Sequence, residues 1–150
     1  MITLTIYGLD QFVVGRLSRE MTHNLADLYE VSEDDINFIA PNNMVFHYGV
    51  DQTSWNTLVK VNAPKKVMVL QDDAARLIMD MIQGPTINVA VEFYYYSEDN
   101  RYEKINEDYP RFITDDNLVD VEGYEEAQYI EGDGKDEVFT GDIFKDFNGE

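Results

Sequence analysis

Apolar and polar residues alternate from the second position of the chain. Ile2, Leu4 and Ile6 fall on one parity and Thr3, Thr5 and Tyr7 on the other, the two-residue period of a strand with one buried face. Gly8 ends the run, and Asp10 is placed to cap a helix. Val14, Leu17, Met21, Leu25 and Leu28 then recur at spacings of three and four, one apolar helical stripe that ends near Glu30. Ser32 to Asp35 reads as a polar loop. Extended structure resumes over 36–40, is interrupted by Pro41-Asn42-Asn43, and continues from Met44 to Tyr48. Residues 2–48 therefore predict one βαβ unit.

The same order repeats over 56–96. Trp55, Thr57, Val59 and Val61 share one strand face, with Leu58 and Lys60 on the other. Asn62-Ala63-Pro64 turns the chain, with Pro64 at or near the first position of a second helix. The stripe of that helix is Val67, Leu70, Ala74, Leu77, Ile78, Met81 and Ile82. Gly84 then Pro85 stop it, the glycine as a left-handed cap and the proline as a barrier to extension. Ile87, Val89, Val91, Phe93 and Tyr95 alternate with Asn88, Ala90, Glu92, Tyr94 and Tyr96 in the longest strand, which we place at the centre. Right-handed crossovers put both helices on one face of a mixed four-stranded sheet, an α+β fold. The other sheet face, expected to be apolar, then needs a second subunit or the tail to cover it.

At 150 residues and 44% hydrophobic, the chain suits one globular domain. Charge changes the picture. The net charge is −19, unevenly spread: residues 1–112 hold 17 acids and 9 bases, whereas 113–150 hold 13 acids with only Lys135 and Lys145. We divide the chain into a βαβ-βαβ domain over 1–112 and an acidic C-terminal extension over 113–150. The extension interleaves its acids with Leu118, Tyr124, Ile130, Phe139 and Phe144, so it is expected to pack on the core or a neighbouring subunit. The sharper reading makes it a docking segment for a basic protein partner, or a mimic of nucleic-acid charge. The acidic balance itself argues against binding nucleic acid or an anionic membrane. Zero cysteine excludes disulfides and thiol chemistry. The N-terminal apolar residues alternate instead of forming a leader, no run approaches membrane-spanning length, and we read the protein as cytoplasmic.

The strand beginning at residue 2, the interrupted strand over 36–46 and the Leu58-to-Pro64 strand entering the second helix together resemble the tautomerase superfamily. This is the fold of 4-oxalocrotonate tautomerase and macrophage migration inhibitory factor, and the likeness is greatest to a branch of small uncharacterised bacterial proteins. The resemblance covers about residues 1–112. It implies a homotrimer with sheets packed inward and helices outside, and an active site at the subunit boundary. It also implies a base that is an N-terminal proline, exposed when the initiator methionine is removed. Here the chain departs. Position 2 is Ile2, too bulky for efficient methionine removal, so the expected terminus is Met1. The family's cation is also missing after the first strand (Gly8, Leu9, Asp10) and after the first helix (Glu30, Ser32, Glu33). The leading reading is a homologue that keeps the scaffold as an oligomeric binding protein and has lost proline-based keto–enol chemistry. The alternative is a keto–enol tautomerase in which the Met1 α-amine, its charged form disfavoured by burial, acts as base on a small keto acid.

Lys65 and Lys66 fall in the expected first turn of the second helix, where two ammonium groups and free backbone N–H groups could hold a small dicarboxylate or keto acid. The plain reading is a solvated pair opposing local acids. His47 follows Phe46 on a strand and could face a pocket, and Asn88 joins it as a ligand-binding candidate; His23 reads as surface. No Cys, His or carboxylate spacing makes a metal site, 131–137 lacks the Ca²⁺-loop rhythm, and no nucleophile-elbow, zincin or Walker run occurs. Neither metal nor cofactor is expected. Tyr94-Tyr95-Tyr96, Tyr102, Tyr109 and Trp55 read as packing residues in place of a base-stacking platform.

Overall fold

Strict alternation in the N-terminal run produces β1 (Ile2–Tyr7), with Ile2, Leu4 and Ile6 buried and Thr3, Thr5 and Tyr7 turned to the other face. The structure, a computed structural model, describes residues 1–114 and 117. Asp10 caps α1 (Gln11–Tyr29) by accepting from the Phe12 amide at 2.8 Å. At its far end Glu30 takes a left-handed conformation and donates its N–H to the Ala26 and Asp27 carbonyls. The chain continues through β2 (Ile36–Ile39), β3 (Phe46–His47), β4 (Val50–Asp51), β5 (Asn56–Pro64), α2 (Gln71–Ile82) and β6 (Asn88–Tyr96).

The main sheet has the order β2-β1-β5-β6. β2 runs parallel to β1 with Ile2 opposite Ile36, and β5 runs antiparallel with Leu4 opposite Val61. β6 runs parallel to β5 from Asn56–Asn88 to Pro64–Tyr96. α1 and α2 pack together over one face. Their stripes (Val14, Leu17, Met21 and Leu25; Ala74, Ile78 and Ile82) close on Leu4, Ile6, Val59 and Val61 in one buried cluster. Met1–Ile113 forms one compact unit.

Five expectations need correction. β6 is an edge strand, because its crossover from β5 carries it away from β1; it matches β5 at 9 residues. The interrupted second strand ends at Ile39, and β3 and β4 form a separate hairpin. Its two-residue turn, Tyr48-Gly49, has positive φ at both positions (49° and 78°), the geometry that matches strand twist. Pro64 ends β5 and does not open the helix. A 3-10 segment, Lys65–Leu70, intervenes, in which Val67 and Leu70 meet the core at the three-residue repeat of that helix. Gly84 is not left-handed, since α2 closes on right-handed Gln83. Last, the outer sheet face is not apolar. Alternation turns Thr5, Lys60 and Glu92 outward, and the Lys60 ammonium lies 5.6 Å from the ring centres of both Tyr7 and Tyr94.

Trp55, expected in the core or at an interface, is 57% exposed in this chain. Among the described residues no helix is long and apolar enough to cross a membrane, and no group of His, Cys, Asp and Glu could hold a metal ion. The packing expected of the acidic extension lies outside the described residues.

Candidate functional site

Strand register builds a site around Met1. Ile2 opposite Ile36 in a parallel pair brings together the residues just before each strand, and the Met1 amine lies 3.7 Å from the Asp35 carboxylate. Thr3 opposite Asn62 carries the end of β5 to the same place, and Pro64 opposite Tyr96 adds the end of β6. The Tyr96 hydroxyl donates to the Met1 carbonyl oxygen. Past β6 the chain returns. The Arg101 guanidinium lies over the Tyr96 ring, 5.2 Å from its centre, and donates to Met1 Sδ at 3.4 Å. Met1 is thus held at its nitrogen, its carbonyl oxygen and its sulfur by three separate segments.

A ring of charge surrounds it. Glu103 sits 3.5 Å from Arg101 and 2.9 Å from Arg111, and Arg111 lies 3.9 Å from Asp35, which closes the path back to the Met1 amine. Lys66 pairs with Glu98 at 3.6 Å. Two recesses open here. One of about 200 Å³ is bounded by Met1, Pro64, Lys66, Tyr96, Glu98, Arg101 and Glu103. Another of about 340 Å³ is bounded by Met1, Glu103 and the segment from Lys104 to Phe112. In a chain of net charge −19, this is where Lys66, Arg101, Arg111 and an α-amine converge. Each already has a carboxylate partner, Asp35, Glu98 or Glu103.

The residues singled out from sequence scatter. Met1 and Lys66 share the smaller recess, while Lys65 is exposed beside it and does not line it. Asn88 lies at the other end of β5 and β6, about 26 Å away at the rise of a strand. There it donates to Asn56 Oδ1 at 3.1 Å and lines a cavity of about 570 Å³. His47 is exposed on the β3–β4 hairpin, edge-on to Tyr48 with ring centres 4.6 Å apart. Sequence reasoning missed Asp35, Tyr96, Arg101 and Arg111. For Asp35 a signal existed: a parallel β1–β2 pair starting at Ile2 and Ile36 fixes Met1 beside Asp35. The two arginines follow β6, and no periodicity marks them.

The three consecutive tyrosines divide by alternation. Tyr94 points outward and donates to Glu92 at 2.7 Å, and that hydrogen bond raises its phenol above the ordinary value. Tyr95 points inward, stacks on Phe93 and donates to Gln71 at 3.0 Å; burial, then Asp72, pushes its phenol up. Only Tyr96 belongs to the Met1 site.

No family model matches the chain, and no curated protein matches its sequence. Solved structures do. A domain of unknown function (DUF1904) from Sebaldella termitidis is 18% identical over 69% of this chain and 95% of its own, with a TM-score of 0.62. A macrophage migration inhibitory factor homologue from Prochlorococcus marinus is 14% identical over 69% of this chain and 94% of its own, at a TM-score of 0.54. The wild-type fused 4-OT F6, an asymmetric trimer, is 11% identical over 67% of this chain and 91% of its own, at 0.50. The chain has the tautomerase and macrophage migration inhibitory factor-like fold.

Proposed function

We propose that this chain is an oligomeric binder of small anions, of the dicarboxylate or keto-acid class, that does not carry out proline-type keto–enol chemistry. The observation that carries the reading is the state of Met1. Ile2 stands where the resemblance implies proline, the Met1 amine is ion-paired with Asp35, and the Met1 oxygen and sulfur are engaged by Tyr96 and Arg101. An ammonium ion in a salt bridge has no lone pair to offer a substrate proton. Arg101, Arg111 and Lys66 supply what a carboxylate needs, planar guanidinium forks and a point charge beside a recess.

A second reading rests on the same amine. Met1 lines a recess with Arg101, and Asp35 is shared between the Met1 amine and Arg111, so a substrate anchored on Arg101 while Asp35 moved fully onto Arg111 would meet Met1 as a primary amine base. Phenylpyruvate separates the two. Calorimetric titration is expected to show saturable binding that weakens about tenfold or more in Arg101→Ala, with enolisation no faster than buffer. Enolisation that is faster, and abolished by N-terminal acetylation, would establish the amine reading and overturn the first. Absence of any binding would overturn both.

The oligomer proposed is a homotrimer. β6 is an edge strand of nine residues with no strand on its outer side among the described residues, a template for pairing with another chain. Light scattering is expected to give three times 17.4 kDa; the mass of a single chain would remove the trimer.

A further inference from the structure

Two guanidinium groups close on one carboxylate beside Met1. Arg101 Nη2 lies 3.5 Å from Glu103 Oε2, and Arg111 Nη2 donates to Glu103 Oε1 at 2.9 Å. Each carboxylate oxygen thus has its own arginine, and the pair forms a seat for a single carboxylate. The seat lies where the two recesses meet, because Met1 and Glu103 line both of them. Arg101 is on the side of the smaller recess and Arg111 on the side of the larger.

Neither arginine depends on Glu103 for its place. Arg101 rests over the Tyr96 ring and reaches Met1 Sδ, and Arg111 is also paired with Asp35. Glu103 itself is held less firmly. Residues 101–106 form neither helix nor strand, so no regular ladder of backbone hydrogen bonds fixes it. Its side chain is 37% exposed, so an outward swing returns the carboxylate to water and strands no charge in the interior.

We propose that Glu103 is a tethered occupant of the seat that a ligand carboxylate takes. A small carboxylate binds by displacing it from Arg101 and Arg111, and Glu103 sets the affinity of the site. This inference rests on the anion-binding reading and adds to it the residue that competes. A group tethered by a short flexible link competes at an effective concentration on the order of millimolar. A carboxylate that gains only the seat is therefore held off. One with an apolar body also gains Tyr109, Pro110 and Phe112 in the larger recess, and it displaces Glu103 at lower concentration.

The test is calorimetric titration of the full chain with phenylpyruvate, in the wild type, Glu103→Gln and Glu107→Gln. Glu103→Gln empties the seat and is expected to tighten binding about three- to tenfold, as removal of a partly exposed internal competitor should. Glu107 is exposed in the same segment and pairs with neither arginine. Its neutralisation changes the net charge equally, and binding should change by less than about twofold. In the wild type, phenylpyruvate should also move the Nε–H NMR signals of both Arg101 and Arg111. Binding in the wild type with no tightening in Glu103→Gln would overturn this proposal and leave the anion-binding reading standing. So would an equal gain in Glu107→Gln, or arginine signals that stay in place as the site fills. Absence of binding in all three proteins would overturn both.

Discussion

The Thr57 hydroxyl donates to the Thr86 hydroxyl at 2.8 Å, and both residues are buried. Thr86 in turn donates to the Asn88 carbonyl at 3.2 Å, so a hydrogen-bonded thread joins the start of β5 to the start of β6. Thr86→Val strands the Thr57 hydroxyl in the interior and is expected to cost about 1–3 kcal/mol. Thr57→Val together with Thr86→Val removes both ends of the bond and should cost less than the single change. Urea unfolding of the three proteins checks this, and a double variant less stable than Thr86→Val would refute it.

Asp35 is shared between the Met1 amine at 3.7 Å and Arg111 at 3.9 Å. It is partly exposed, so its removal is expected to change stability by less than about 1 kcal/mol. Its effect on the site is larger in proportion. Asp35→Asn frees two cations from one competing carboxylate, and phenylpyruvate should bind several-fold tighter, by about 0.5–1 kcal/mol. Weaker binding in a variant of wild-type stability would show that Asp35 positions the ligand and does not compete with it.

The difference in how much of the chain was legible follows from range. α1, α2, β1, β5 and β6 repeat one signal many times over, and Leu4, Val59 and Ile78 are buried where the pattern puts them. The order of strands is a pairing decision between distant segments, and nothing local in Phe93 or Tyr95 marks β6 as an edge. The 3-10 segment after Pro64 was missed because Val67 and Leu70, three apart, fit both helix types. At the site, Met1 and Lys66 could be named, since each sits at the start or end of an element. Arg101 and Arg111 reach Met1 only through the return of the chain after β6, and their positions carry no periodic pattern.

His23 is flanked by two acids on the outer face of α1. Its Nδ1 lies 2.9 Å from Glu33 and its Nε2 3.4 Å from Asp27. The hydrogen bond to Glu33, then the charge of Asp27, raises the imidazole above its ordinary 6.5. The protonated form is therefore favoured in the folded chain. Its contribution is fully present below the unfolded value and is lost as pH rises through the folded one. An NMR titration of the ring should show the raised midpoint, with Glu33→Gln lowering it more than Asp27→Asn. A midpoint at or below 6.5 in the wild type would contradict the pairing.

Gly8 and Gly15 offer the same substitution with opposite outcomes. Gly8 has φ of +81°, and a methyl there would collide with the Asn56 carbonyl oxygen and meet Val45 Cγ2 at 3.0 Å. Gly8→Ala therefore combines a left-handed backbone, costing about 1–2 kcal/mol, with displacement of the first residue of β5. Gly15 is exposed inside α1 with nothing within 4 Å of an added methyl. Alanine there is better suited to a helix by roughly 0.5–1 kcal/mol. Denaturation midpoints should fall for Gly8→Ala and rise for Gly15→Ala, and the NMR signals of Asn43 and Asn56 should move only in the first. If Gly8→Ala left both stability and those signals unchanged, the close approach of β1 to the head of β5 would be wrong, and with it the shape of the cavity beside Asn88.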